Sequence, residues 1–506
     1  MKLSQNRNRS SLNNAITAVG LTLVNGLLGI VVTNFVTAHF GSDFNGLNST
    51  VNQIVNILLI LEGGFTVASN VALFAPLSRQ DTATVNGILS ATRQKFRKAG
   101  ILFLIIGLAV AVVYGFVAQS HLPWEFIFTL VVMTVVPAAF NLYYATTYRV
   151  LLQTQQKEYI ISLFTILTVG LGHVANIGMI LMNGPMWMVR CNTMIFTLLN
   201  SLLIAGYVKK QTPFLNLAVK ARPELIKGTG DIMAQKITGV IYQAAPMVFI
   251  TIAIDTVTAS IYGAYNMVFQ MLKTLLHSVI DAPRHSLGQF ITERDKKDVW
   301  PVFAQYQYIA FLAIFVALTT CCVLILPFIK LYSAGFTDAN YYDAAIALMM
   351  VCIATVEMIH IPSGHLLNMA GLFRVSRNFQ LISCIVLVIS MIVGGMLWGV
   401  YGMLIAILLC AVLLAAMEMG YVHTRFFKGK LLALLKLLLP LVVTGAAACA
   451  VEFSLISTLS GYFQFILCGI LFAAVNGILA VVVGLVFNRK IFLALFSRVK
   501  GLIKRH

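Results

Sequence analysis

The chain is a succession of apolar blocks, most of them twenty residues or longer, separated by short polar joints. A helix of about 20 residues rises 1.5 Å per residue and so crosses roughly 30 Å of hydrocarbon. Backbone groups inside lipid must bond within the protein, which leaves helices or closed barrels, and blocks of this length suit helices. Composition agrees: of 506 residues 59% are hydrophobic and 10% charged, with a mean hydropathy of +0.90. A soluble domain carries about 25% charged residues. The expected fold class is therefore all-α integral membrane, with about 14 transmembrane helices.

The expected spans are 15–38, 47–76, 99–118, 126–148, 159–181, 186–207, 232–254, 257–283, 302–329, 342–365, 378–398, 402–422, 431–455 and 462–487. The net charge of +18 would suit a nucleic-acid binder if it were clustered on one surface, but it lies in the joints. With the N-terminus inside, all but Arg190, Lys273 and Lys330 of the 35 Lys and Arg residues fall in or beside the cytoplasmic segments. The outer loops carry Asp43, Glu125, Asp255, Asp338 and Asp343. This is the positive-inside pattern, and it places both termini in the cytoplasm of a multi-pass inner (plasma) membrane protein. No nucleic-acid motif accompanies the charge. Lys2, Arg7 and Arg9 precede a stretch too long for a signal peptide, which reads as a retained first span.

The domain expectation is an N-lobe over 1–210, a C-lobe over 211–425, spans 13 and 14 over 426–488, and an amphipathic tail over 489–506. In the tail Ile491, Leu495, Val499 and Leu502 share one face while Lys490, Arg498, Lys504 and Arg505 share the other, as in a helix lying on anionic lipid. Ala75-Pro76 and Ala282-Pro283 each end a span before a basic loop, in keeping with two repeated lobes. The largest inner loops are expected at 77–98, 208–231 and 284–301. The eight cysteines sit in apolar segments without CxxC spacing and read as small core residues, leaving metal: none as the expectation.

A charge at the bilayer centre costs at least about 2.5–3.5 kcal/mol on insertion scales, so each one calls for a reason. On span eight Gln270, Lys273, His277, Asp281 and Arg284 fall within an arc of roughly 80° at 100° per residue. Such a stripe lining a cavity would attract an anionic group such as a pyrophosphate; the plain alternative is snorkelling toward the interface. Glu62 lies mid-span in ILLILEGGFTVASN beside Gly63-Gly64, and Glu357 lies deep in span ten near His360; both are candidate coupling or cavity carboxylates. Asn52 and Asn56, one turn apart, could bond sugar hydroxyls or other helices. Arg190, close to the outer interface, reads as an anchor there or as a contact for substrate leaving the cavity, and Glu418 and Lys236 as ordinary charges near cytoplasmic span ends. The catalytic expectation is none: there is no Walker A loop, HExxH or GxSxG.

The segment FGSDFNGLNSTVNQIVNILLILEGGFTVASNVALFAPLSRQD, residues 40–81, resembles the opening of bacterial polysaccharide transporters. These are the oligosaccharidyl-lipid flippase branch of the multidrug/oligosaccharidyl-lipid/polysaccharide (MOP) exporter superfamily. LLQTQQKEY, YSAGFTDANYY, LNMAGLFRVSRN and LWGVYGM follow in the same order as in those proteins. The resemblance implies two six-helix lobes around a central V-shaped cavity lined largely by spans one, two, seven and eight, plus two C-terminal helices. It also implies alternating-access export of a lipid-linked oligosaccharide on an undecaprenyl-pyrophosphate-type carrier, for cell-surface polysaccharide synthesis. Lys273, His277 and Arg284 would then hold phosphate, with Gln270, Asn52 and Asn56 on the head group and Glu62, Asp281 and Glu357 as carboxylates. Expected partners are the lipid-linked oligosaccharide, membrane lipids, and glycan polymerase and glycosyltransferases, with no nucleic acid. The cofactor expectation is none, with H+ or Na+ as the coupling ion. Where relatives carry an acid midway along span seven, this chain has Gln243, Ala244 and Ala245, so a coupling scheme built on that acid does not transfer. The alternatives are a multidrug or small-molecule antiporter of the same architecture, and a membrane glycan polymerase or acyltransferase.

Overall fold

A computed structural model describes residues 13–14, 16–62, 64–226, 230–456 and 461–495. The amphipathic tail expected over 489–506 lies outside the described residues from 496 onward. Among the described residues the chain is helical, with α1 (Ile16–Glu62), α2 (Phe65–Ser78), α3 (Thr82–Val117), α4 (Trp124–Thr154), α5 (Glu158–Leu181) and α6 (Met188–Gln211) in order. They are followed by α7 (Gly230–Ala253), α8 (Thr256–Asp281), α9 (Arg284–Glu293), α10 (Lys296–Tyr332), α11 (Ala344–Met369), α12 (Phe373–Phe426), α13 (Leu431–Leu455) and α14 (Tyr462–Phe487).

Eleven of these helices are long and apolar enough to cross a membrane. Two of the eleven are double. α1, of 47 residues, would be about 70 Å long if straight, more than twice the hydrocarbon thickness. It breaks at Gly41, whose φ of 85° is the left-handed region that glycine enters without a Cβ clash. The side-chain contacts show a reversal there. Asn14 donates to Gln156 O and accepts from Tyr159 N at the α4–α5 turn, and Asn70 bonds Gln153 and Thr154 at the same turn. Asp43, between them in sequence, sits at the opposite end, accepting from Ser120 Oγ at 2.8 Å and His121 N at 3.0 Å.

α12, of 54 residues, reverses at Trp398 and Gly399 (φ 58°). Its two arms then touch, with Ser383 Oγ donating to Cys410 O at 3.2 Å. α8 falls outside the eleven although it has 26 residues, because the polar stripe dilutes its apolar character. Counting two crossings each for α1 and α12, and one for α8, the membrane-spanning architecture has the fourteen crossings read from hydropathy. The outward faces carry exposed apolar side chains such as Ile385, Ile389, Phe463 and Ile470, a surface suited to acyl chains.

Two of the expected inner loops are largely helical. Residues 82–98 are the first turns of α3, started by Asp81, whose carboxylate accepts from Thr84 N at 3.0 Å. The Thr84 side-chain bond, then its backbone bond, holds the Asp81 carboxyl below the usual carboxylate range. Residues 284–293 form α9, and α10 begins at Lys296. Polar helix continues past the hydrocarbon in both places, which hydropathy alone does not register.

The described chain divides into two compact units, one of residues 1–263 with 336–339, the other of residues 264–335 with 340–506. In the first, α3 packs on α4 and α5 on α6, around Phe44, Leu47, Phe96, Phe103, Leu130 and Leu151. In the second, α10 packs against α11, α13 and α14, while α11 packs on α12. Asp343 caps α11, accepting from the Ala345 and Ile346 N–H groups at 2.9 Å.

The tight α12 hairpin brings Gly394 and Gly402 backbone to backbone, so that a Cβ on either would overlap the other's carbonyl. Gly402→Leu is therefore expected to destabilise the protein by about 1–3 kcal/mol through overpacking, read as a lower melting temperature in detergent. An unchanged melt would contradict this packing.

Candidate functional site

Each unit carries its own set of polar groups within membrane-spanning helices. In the first unit they begin where α1 ends. The last residues of that helix, Leu59–Glu62, tighten to a 3-10 turn, and Gly64 (φ 65°) restarts the chain as α2. The interruption leaves Glu62 at a helix end instead of on a smooth wall. Beside it is a cavity of about 250 Å³ whose polar lining is Gln53, Asn56, Glu62, Lys236 and Gln243. Met233, Lys236, Val240 and Gln243 follow one another at helical spacing, so one face of α7 supplies that wall. Lys236 Nζ lies 3.7 Å from Glu62 Oε2, and the Thr66 hydroxyl donates to Glu62 Oε1. Lys236 is half exposed, whereas Glu62 is mostly covered. Asn56 donates to Gln53 Oε1 at 3.1 Å.

Asn52 does not join this cavity lining. Its side-chain oxygen accepts from Arg190 Nη1 at 3.0 Å, and Arg190 Nη2 donates to Asn48 O. Arg190 is only 3% exposed, so it is a buried clamp between α6 and α1 and not an interface anchor. Its acceptors are neutral, and its Nε is buried without a partner.

The second unit holds a denser cluster. Lys273 Nζ is 2.9 Å from Glu357 Oε2, with both side chains less than one-fifth exposed. His360 Nδ1 is 2.9 Å from Glu418 Oε2, and Glu418 is 1% exposed. His365 Nδ1 bonds the Tyr306 hydroxyl at 2.8 Å, and its Nε2 approaches Asp281 Oδ1 to 3.3 Å. Tyr306 also donates to Ile280 O at 3.1 Å. Lys273, His277 and Asp281 repeat every four residues along α8, while Glu357, His360 and His365 lie on one face of α11. Two polar helix faces thus meet. His277 is exposed at the edge of the cluster, and Gln270 donates to Asn266 at 3.4 Å.

Arg284 departs from the expected stripe. α8 ends at Asp281, the chain turns at Ala282-Pro283, and Arg284 opens α9. Pro283, which has no N–H to continue the ladder of α8, is the N-cap of α9. Within the stripe Lys273 is neutralised by Glu357. Glu418 and Lys236, read as ordinary charges, each hold an ionisable partner. Their signal in the sequence was their position in apolar stretches, where a charge without a partner is costly. His365 and Tyr306 carried no comparable signal.

No family model and no curated protein sequence matches the chain. Solved structures do. An inward-facing multidrug resistance MATE family transporter of the MOP superfamily aligns with a TM-score of 0.62 at 12% identity, over 81% of this chain and 98% of that one. Lipid II flippase MurJ, in an inward closed conformation, aligns with a TM-score of 0.65 at 13% identity, over 94% of this chain and 99% of that one. The chain has the MOP transporter fold. An outward-facing MATE family transporter also aligns, with a TM-score of 0.58 at 14% identity over 83% of this chain and 96% of that one. At such identities the likeness concerns the fold, and site chemistry must come from this chain's own residues.

Breaking a buried ion pair by removing one partner costs about 3 kcal/mol, whereas replacing both is far milder. Lys273→Met is accordingly expected to destabilise the protein by about 2–3 kcal/mol and Lys273→Met with Glu357→Gln by clearly less. Thermal unfolding of the purified variants checks this. Equal losses in the single and double variants would mean that the contact is not a coupled pair.

Proposed function

We propose that this protein is a flippase that moves a lipid-linked oligosaccharide, on an undecaprenyl-pyrophosphate-type carrier, from the inner to the outer leaflet by alternating access. Sugars and phosphates cross hydrocarbon only when their hydrogen bonds and charge are met on the way. The observation that carries the reading is the chemistry of the first unit's cavity. Three amide side chains and a lysine–glutamate pair line it, with no aromatic residue. Amides offer donors and acceptors to sugar hydroxyls, and a half-exposed lysine can turn from Glu62 to a phosphate oxygen. In the second unit Lys273 has the same choice between Glu357 and a phosphate, with Gln270, His277 and Arg284 as further donors. Each pairing neutralises its own lysine in the empty protein, yet the cation can change partner when a more strongly charged group arrives.

The extent of the fold supports the same reading. The flippase structure covers 94% of this chain, whereas the two MATE structures above cover 81% and 83%. A cavity for cationic drugs would be lined by unpaired acids or aromatic rings to hold positive charge, whereas the one acid lining this cavity, Glu62, is paired with Lys236 and no aromatic ring is among the described lining residues. The charge asymmetry of the joints supports a topology with both termini in the cytoplasm. Glycosyltransferases that load the carrier and a polymerase that consumes it are the partners such a step requires, and H+ or Na+ exchange at the carboxylates would drive it.

The purified protein in detergent, titrated with an undecaprenyl-pyrophosphate oligosaccharide and separately with a cationic dye, tests the proposal. The glycolipid is expected to raise the melting temperature and the dye to leave it unchanged. Lys236→Met is expected to weaken glycolipid binding by about tenfold, the loss of one charge-assisted bond of about 1.4 kcal/mol. Dye binding without glycolipid binding would transfer the protein to the multidrug class.

A further inference from the structure

A second buried carboxyl lies apart from both polar groups described above. Glu452 of α13 is 4% exposed and Asn476 of α14 is 0% exposed. Asn476 Nδ2 donates to Glu452 Oε2 at 3.3 Å and to Thr320 Oγ1 of α10 at 3.1 Å. Glu452 Oε1 and Asn476 Oδ1 are buried and accept no hydrogen bond from the protein. Around them Val323, Leu324 and Phe472 form an apolar cluster with Cys449, Ile456 and Phe465. Among the described residues no Lys, Arg or His forms an ion pair with Glu452.

An ionised carboxylate here would keep one amide bond against a desolvation penalty of several kcal/mol. Both orphaned atoms are acceptors, and one proton satisfies both. A protonated Glu452 donates its O–H toward the amide oxygen while its carbonyl oxygen accepts from the amide nitrogen, the closed pairing of a carboxylic acid with a primary amide. Exchanging the amide's oxygen and nitrogen does not remove the need. Glu452 then faces the amide oxygen and again must donate.

We infer that Glu452 and Asn476 form a proton-binding site joining α13 and α14 to α10. The site is independent of which head group is carried. The titratable groups facing it are thiols: Cys322 on α10, Cys449 on α13 and Cys468 on α14, with Cys352 of α11 beside Cys322. None of these supplies a positive charge, so the proton leaves only when water or a cation reaches the carboxyl. Losing it places an uncompensated charge among apolar side chains and loosens α14 from α10. Proton occupancy thereby controls how the last two spans pack.

Two measurements on the full-length protein test this. Infrared difference spectra between acid and alkaline pH should contain a protonated-carboxyl C=O band that shifts in D2O and is missing from Glu452→Gln. The melting temperature of the wild type should fall as pH rises, because the folded protein holds a proton that the unfolded chain releases. Glu452→Gln, which keeps the amide-type bonding without the titration, should have a shallower slope. Comparison with this variant removes the contribution of the thiols. Absence of a Glu452-dependent band overturns the proposal. So does a melting shift specific to Na+ over K+ that Glu452→Gln abolishes without a protonated-carboxyl band, since the ligand would then be sodium.

Discussion

No water reaches the hydrocarbon interior of a bilayer, so a polar side chain there must be satisfied by the protein itself. That requirement organises both units. Arg190 turns inward to Asn52 and the Asn48 carbonyl, Glu62 meets Thr66 and Lys236, and Lys273 meets Glu357. Glu418, almost wholly covered, is held by His360. The helices that carry these groups are fixed in rotation by them, because turning one about its axis would put a charge against acyl chains.

Pairing also changes what the charges can do. A bare stripe of lysine, histidine and arginine would attract any anion, and it would be costly to keep in the absence of one. A lysine held by a carboxylate within the same unit has low energy when the protein is empty, and under the proposed function it would offer its ammonium to a phosphate that displaces the carboxylate. The two lysines differ in readiness for that exchange. Lys236 is half exposed and stands 3.7 Å from its partner, while Lys273 is mostly covered at 2.9 Å. The first is the looser contact and the easier one to exchange.

The crossings were legible because lipid imposes length and apolarity on each of them, and the reversals at Gly41 and Gly399 fall where apolar blocks meet. The stripe on α8 was legible because helical periodicity aligns residues four apart. Its continuation through Arg284 was misread, since the pattern repeats past Pro283 although the helix does not. Partners were not legible. Glu357 lies 84 residues from Lys273, and Gln153 lies 83 residues from the Asn70 it bonds; only tertiary packing brings them together. Glu452 and Asn476 each stand as a single polar residue within an apolar block, and their relation depends on the way α13 and α14 pack on α10.

In the proposed function, polar groups inside these spans carry a charged glycan head group across the bilayer. The direct measurement is movement of a fluorescent undecaprenyl-pyrophosphate oligosaccharide in proteoliposomes, followed by quenching from the outside only. The wild type should expose lipid initially sealed in the inner leaflet, and Lys236→Met together with Lys273→Met should not. Equal movement by both proteins, or movement of a plain phospholipid at the same rate, would contradict the account.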